Sequence, residues 1–299
     1  MRYQITIVLI LVLTFQWSSA QPWMTNLDLA QDLALTQNKM VLMVWEDTTK
    51  YPYHVLVNDE NGNAILIENL FKNEEVSPLI WKYFVPVIVN ELAYESLYLD
   101  IKEKQSQEYI DKFNDDSIKI MDVHGHILNV KHTAEGYQNI TTLIQNYGIN
   151  TEFFALELKE YKEKKDFYSA YYLASKYFDF SPYVKEAIRE NMVDLGLLYL
   201  EEASQFIEEV TAEDKAMLSQ RVVLLSIQQY IILKRPKKAL RLLNRLEIDQ
   251  EHASNQGFLA FLYYTTHRIL GNQKEVMTWK SKLSSVNLKK AQVLINLYK

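Results

Sequence analysis

The sequence predicts an α/β region followed by an all-α region of helical hairpins. Three observations carry that prediction. Two apolar runs of strand length, at 40–45 and 85–89, have the unbroken character of strands buried on both faces. Helix-like stretches with apolar residues three and four apart alternate with them as far as Gly148. Beyond Asn150 strand signals stop and only the helical spacing continues.

Residues 1–20 read as a Sec-type signal peptide. Arg2 is their only charge, Ile5 to Phe15 is an apolar core, and Ser18-Ser19-Ala20 supplies small residues ahead of a cut before Gln21. An exported product, periplasmic or secreted, is expected. No second long apolar run follows, so the mature chain is expected to have no transmembrane segment.

The α/β region is expected over 21–149. Leu27, Leu29, Ala30, Leu33 and Ala34 recur at helical spacing after Asn26, a suitable cap. His54 to Val57 and Ala64 to Ile67 flank a polar, Gly-containing segment, which predicts a β-hairpin at about 54–67. Asn73 heads a helix whose first turn is acidic at Glu74 and Glu75. A helix over 106–113, strands over 117–123 and 127–131 around the turn Asp122 to Gly125, and a helix over 136–147 complete the region.

The all-α region is expected over 150–299, with helices at 151–165, 166–178, 182–210, 212–234, 236–246, 252–270, 273–283 and 288–298. Pro182 and Pro236 stand where helices begin, and Gly271-Asn272 is a stop. The segments opening at Lys165, Arg235 and Asn272 are alike, at spacings near one or two units of about 34 residues, which suggests stacked helical hairpins.

The N-terminal region resembles the thioredoxin-like superfamily. Val41 to Trp45 is similar to that family's first core strand, Leu70 to Val76 followed by Phe84 to Val87 to its second helix and strand, and Asp122-x-x-Gly125 to its later hairpin. Aligned without gaps, the family's dithiol motif falls on Lys50, Tyr51, Pro52 and Tyr53, and its cis-Pro position falls on Asp116. The resemblance implies a redox fold that has lost its redox chemistry. Disulfide exchange needs a thiolate, and the chain contains 0 Cys. The all-α region resembles tetratricopeptide-type (TPR-like) repeats, which implies a groove for peptides.

Composition excludes other classes. Net charge is −6 with no basic run, which disfavours nucleic acid. None of the 7 Gly falls in a phosphate-cradling pattern, and no cofactor is expected. No Ser stands in a nucleophile-elbow context. His124, His126 and His132 are weak candidates for a metal site, with no carboxylate or thiolate completing a set; as turn residues they need no metal. The dense aromatic run from Phe153 to Tyr183 suits helix packing, with Tyr168, Tyr171 and Tyr172 as a possible binding surface alongside His54.

The expectation is therefore an exported, non-enzymatic binding or scaffold protein. It carries a redox-inactive thioredoxin-like domain, a helical interaction domain, and an unknown protein or peptide partner in the cell envelope. The alternative is an enzyme of unrecognised, hydrolase-like class, marked by a pocket that would join Asp116 with His54.

Overall fold

The computed structural model describes residues 21–131, 136–246 and 253–299. The signal-peptide expectation and His132 lie outside them. A small α/β region with two three-stranded sheets is followed by an all-helical region. Among the described residues, no helix is long and apolar enough to cross a membrane.

Helix α1, Leu27–Gln37, starts where the Asn26 side chain accepts the Leu29 amide and stops at left-handed Asn38. Strand β1, Met40–Trp45, is buried on both faces and lies at the centre of the first sheet. On one side it pairs in parallel with β4, Phe84–Val89, in register Met40 to Phe84. Parallel neighbours need a crossover. Here it is made by β2, Val55–Asn58, β3, Ala64–Ile67, and α2, Val76–Tyr83. Pro86 has no N–H to offer, and its carbonyl is used at the outer edge of β4, where it accepts the Met24 amide at 3.0 Å.

On its other side β1 pairs antiparallel with β5, Lys119–Met121. The expected second strand of that hairpin, 127–131, is not a strand. Met121 bridges Ile127, the Ile127 segment continues only through the Leu128 amide on Ile120, and then a side chain takes over. Asn129 is buried, its Oδ1 accepting the Ile120 amide at 2.8 Å and its Nδ2 donating to the Ile118 carbonyl at 3.0 Å. An amide side chain thus replaces the next rung of the ladder.

The antiparallel pair β2–β3 belongs to the second sheet, where β2 also pairs in parallel with β6, Gln138–Asn139. The expected helix over 136–147 is shortened accordingly. It begins at Ile140 as α5, Ile140–Tyr147, capped by the Asn139 side chain, because the two preceding residues are in the sheet. Two helices lie between β4 and β5. The first, α3, Glu91–Ile101, has no counterpart among the sequence expectations. Its apolar residues are spread round the axis, with Tyr94 buried while Leu92 and Leu99 are exposed. The second, α4, Gln107–Asn114, is capped by Ser106.

The helical region contains α6, Ala155–Glu163; α7, Phe167–Phe180; α8, Glu186–Phe206; α9, Ala212–Ile232; α10, Pro236–Leu243; α11, Gln256–Leu270; α12, Gln273–Lys280; and α13, Ser285–Asn296. Gly196 lets α7 and α8 cross closely, since a Cβ there would lie 2.8 Å from the Phe178 ring. The buried apolar residues of both regions form one contiguous cluster, from Ala30 to Leu294.

The two regions meet at the turn after β5. Asp122, 1% exposed, accepts the His124 and His126 amides at 2.9 and 3.0 Å from its own turn. Across the boundary it accepts the Tyr177 hydroxyl at 3.1 Å and that of Tyr199. Gly125 closes the turn at φ +92°, in the left-handed region that side chains rarely enter.

Candidate functional site

The segment aligned with the dithiol motif leaves β1 through a 3-10 turn, Glu46–Lys50. Lys50 is exposed and paired with Asp47. Tyr51 is 74% exposed, and Pro52 is exposed beside it. The chain then turns inward. Tyr53 is half-buried against Phe71, and its hydroxyl donates to the Asp116 carbonyl at 2.9 Å and to Gln138 Oε1 at 2.8 Å. Gln138 Oε1 also accepts the Ile118 amide at 2.8 Å, which fixes the orientation of its amide. Two positions 63 residues apart, Tyr53 and Asp116, are therefore in direct contact.

Beneath this contact lies a charged cluster at the end of α4. Lys119 of β5 is 0% exposed; its ammonium donates to the Asp115 carbonyl and lies 3.2 Å from Oδ1 of the same residue. Lys112, also buried, is 3.2 Å from Asp115 Oδ2 and bonded to Ser117 Oγ. Burial disfavours both ammoniums, lowering Lys112 and bringing Lys119 down to about 8. Burial also works against the Asp115 carboxylate. The Ser117 hydrogen bonds and the two ammoniums outweigh it and hold its pKa below the usual value. Burial, then the Asp115 and Asp116 carboxylates, push the Tyr53 phenol far above its ordinary range, so it stays a hydrogen-bond donor.

A cleft of about 320 Å³ opens over these groups, lined by Tyr53, His54, Asp115, Asp116, Ser117, Gly136, Tyr137 and Gln138. The His54 and Tyr137 rings lie 5.5 Å apart at one wall. Gln138 Nε2 is a buried donor without a partner among the described residues. Sequence reasoning placed Tyr53, His54 and Asp116, which the fold brings to one cleft, while Lys50, Tyr51 and Pro52 do not line it. It missed Lys112, Ser117, Lys119, Tyr137 and Gln138. A lysine inside the apolar run Ile118-Lys119-Ile120 was the available signal, because a buried lysine requires a partner.

His124 and His126 stand elsewhere, between the two regions. His124 Nε2 is 3.1 Å from the Leu158 carbonyl, with its ring against Tyr161 at 4.8 Å. His126 Nε2 is 3.5 Å from Glu202, whose carboxylate also accepts the Tyr161 hydroxyl. Burial lowers the pKa of His124. For His126 burial acts in the same direction, but Glu202 and Asp122 overcome it and raise its pKa. Among the described residues, no group of three or more His, Asp or Glu is placed to hold a metal ion.

The three tyrosines of α7 are divided. Tyr168 and Tyr172 are exposed and stacked at 6.2 Å, on a helix that contributes nothing to the cleft. Tyr171 is not a surface residue. It is 5% exposed, stacked on Phe167 at 5.5 Å and covered by the Arg221 guanidinium. The positions 167, 171, 174 and 178 form the buried stripe of the helix, and Tyr171 falls on it.

Compared with protein-family models, with curated proteins and with solved structures, the chain matches none at a significant level.

Proposed function

We propose that the chain is an exported, non-enzymatic protein-binding or scaffold protein, with a redox-inactive thioredoxin-like domain and a TPR-like helical interaction domain. The observation that carries this reading is the hydrogen bond from Tyr53 to the Asp116 carbonyl. The positions aligned with a thiol of the dithiol and with the cis-Pro are neighbours, as a shared ancestral site requires. A phenol has replaced the thiol, and with 0 Cys in the chain no electron exchange through sulfur is available. The strand order supports the same alignment, since β1 lies between β4 and β5, the strands matched to the family's second strand and later hairpin. For the helical region, the three similar sequence openings coincide with the starts of α7, α10 and α12.

The surface offered is the cleft together with the edge of the second sheet, where Ile65 and Leu66 of β3 are exposed. A photo-crosslinking residue at exposed Tyr51, used on the full chain in envelope extract, is expected to capture one reproducible partner. Capture is expected to fall when His54→Ala and Tyr137→Ala are combined. No reproducible product, or acceleration of insulin reduction by the purified chain, would overturn the reading.

A second reading, a hydrolase-like enzyme, is favoured by one observation: His54 and Asp116 line the same cleft, beside a Ser117 hydroxyl bonded to Lys112. It predicts turnover of ester or peptide probes that is lost in both His54→Ala and Asp116→Asn with folding intact. Absence of any turnover removes it.

A further inference from the structure

We infer that the Tyr53 cleft receives one basic residue of the partner, its backbone carbonyl accepting from Gln138 and its cation meeting the Asp116 carboxylate and the Tyr137 ring. This deepens the protein-binding reading above and rests on it, since it names the chemistry that the cleft selects.

The anchor is Gln138. It is 5% exposed and lines the cleft, and its Nε2 has no hydrogen-bond partner among the described residues. The amide cannot turn over to mend this, because Oε1 already accepts the Tyr53 hydroxyl and the Ile118 amide, both at 2.8 Å. A buried donor left unpaired costs stability until an acceptor meets it. A carbonyl is the acceptor that a protein partner carries at every residue.

The charges of the lining select the side chain. Asp115 and Asp116 stand in it, and no Lys or Arg does. Asp115 is met from below by Lys112 and Lys119, each at 3.2 Å. Asp116 is exposed and makes no ion pair among the described residues. The Tyr53 hydroxyl that holds Gln138 also lies 2.9 Å from the Asp116 carbonyl, so the free donor and the free carboxylate belong to residues flanking one atom. Tyr137 is 56% exposed, with His54 against its ring, and an aromatic face attracts a cation. At about 320 Å³ the cleft is at the small end of ligand pockets, with room for one side chain and its peptide unit rather than an extended chain.

The test is fluorescence polarisation of the full chain with three labelled, N-terminally blocked probes. They are Ala-Ala-Arg amide, Ala-Ala-agmatine, which keeps the guanidinium but lacks the last carbonyl, and Ala-Ala-Glu amide. Saturation by the Arg amide below about 1 mM is expected. The agmatine probe is expected to bind about fivefold more weakly, the worth of one hydrogen bond, and the Glu amide not to saturate. Asp116→Asn, at an exposed position, is expected to weaken the Arg amide about fivefold with the unfolding midpoint unchanged. No saturation by the Arg amide, binding of either other probe as tight as the Arg amide, or parental affinity in Asp116→Asn overturns the proposal. A partner still captured at Tyr51 after such a result leaves the protein-binding reading standing, and absence of capture removes that reading, so the two fail separately.

Discussion

Tyr199 of α8 donates its hydroxyl to Oδ2 of Asp122, 77 residues earlier and in the other region of the fold. Tyr177 donates to the same oxygen, and two turn amides occupy Oδ1. A buried carboxylate with four donors is a fixed joint, since any sliding of the two regions would strand a charge away from water. Asp122→Ala leaves those donors without an acceptor and is expected to cost about 3–5 kcal/mol. Tyr199→Phe removes one bond to a charged group and is expected to cost about 1.5–3 kcal/mol. Urea unfolding followed by circular dichroism measures both. Unmoved midpoints in the two variants would mean that Asp122 does not join the regions.

The same boundary carries a pH signature through His126. Its pKa is raised in the folded state, so its contribution is fully present below the ordinary value of 6.5 and is lost as pH rises through the raised value. Glu202 opposes this at the acid end. Burial disfavours its charge, but His126, Tyr161 and Lys165 hold its pKa below 4.5, so its contribution is lost as pH falls through that lowered value. His124, lowered by burial and in part by His126 itself, adds a loss of stability below 6.5 that His126→Gln relieves only in part. The stability difference between the parent chain and His126→Gln is therefore expected to peak between the two limits and to shrink by pH 9. A difference that grows from pH 6 to pH 9 contradicts the assignment.

How much of this was legible beforehand depends on whether a signal is local. The run Met40–Trp45 announces a buried strand because every residue in it is apolar, and it is one. The cap residue Asn26 likewise acts within three residues of itself. Asn129 substituting for a strand partner leaves no pattern, because an isolated Asn reads as a loop residue. Helix α3 was hidden by apolar residues distributed on all sides. In the candidate site, Tyr53 and Asp116 came together only through a family resemblance, whereas the pairs of Asp115 with Lys112 and Lys119, three and four residues away, are local and escape notice because a carboxylate in a polar loop reads as a solvated cap. Tyr171 was misplaced for a simpler reason. Its spacing from Phe167 and Phe178 already marked the buried face, and that periodicity outweighs an appeal to tyrosine's binding chemistry.

Lys119 gives a prediction with the opposite sign to His126. Burial lowers its pKa from 10.5 to about 8, with the Asp115 carboxylate resisting and Lys112 adding to the fall. Between those values the unfolded chain binds the extra proton, so this group's contribution to stability increases as pH rises from about 8 to 10.5. Lys119→Met removes that rise, apart from the smaller part due to Lys112, also lowered by burial. The expected result is that the parent chain gains on Lys119→Met across this range in denaturant midpoint. Parallel profiles for the two proteins would show that Lys119 is solvated in the folded state.

Asp115→Asn tests the cluster from its other side. The substitution keeps the shape and the Ser117 contacts available to an amide, but it removes the carboxylate that the two buried ammoniums share. Removing one partner of a buried ion pair costs about 3–5 kcal/mol. Adding Lys119→Met to Asp115→Asn is expected to recover part of that loss, because an uncompensated charge is then replaced by an apolar chain of similar length. Double-mutant unfolding energies read the coupling. Strict additivity would sink the idea that these groups act as one unit.

Gly196 decides between two effects of known size. In a helix interior Gly→Ala ordinarily stabilises by about 0.8–1.0 kcal/mol. At this position the added Cβ would lie 2.8 Å from two Phe178 ring carbons and 3.1 Å from the Tyr177 Cβ. Phe178 is fully buried, and Tyr177 holds Asp122, so neither can give way freely. Overpacking of a filled core costs about 1–3 kcal/mol. The clash outweighs the gain in helix propensity, and Gly196→Ala is expected to destabilise by about 1–2 kcal/mol. Its effect should also shrink when Tyr177→Phe has already freed that ring from Asp122, since the helix can then shift. A stabilised Gly196→Ala would show that α7 and α8 have room to separate, and with it that the Asp122 joint tolerates movement.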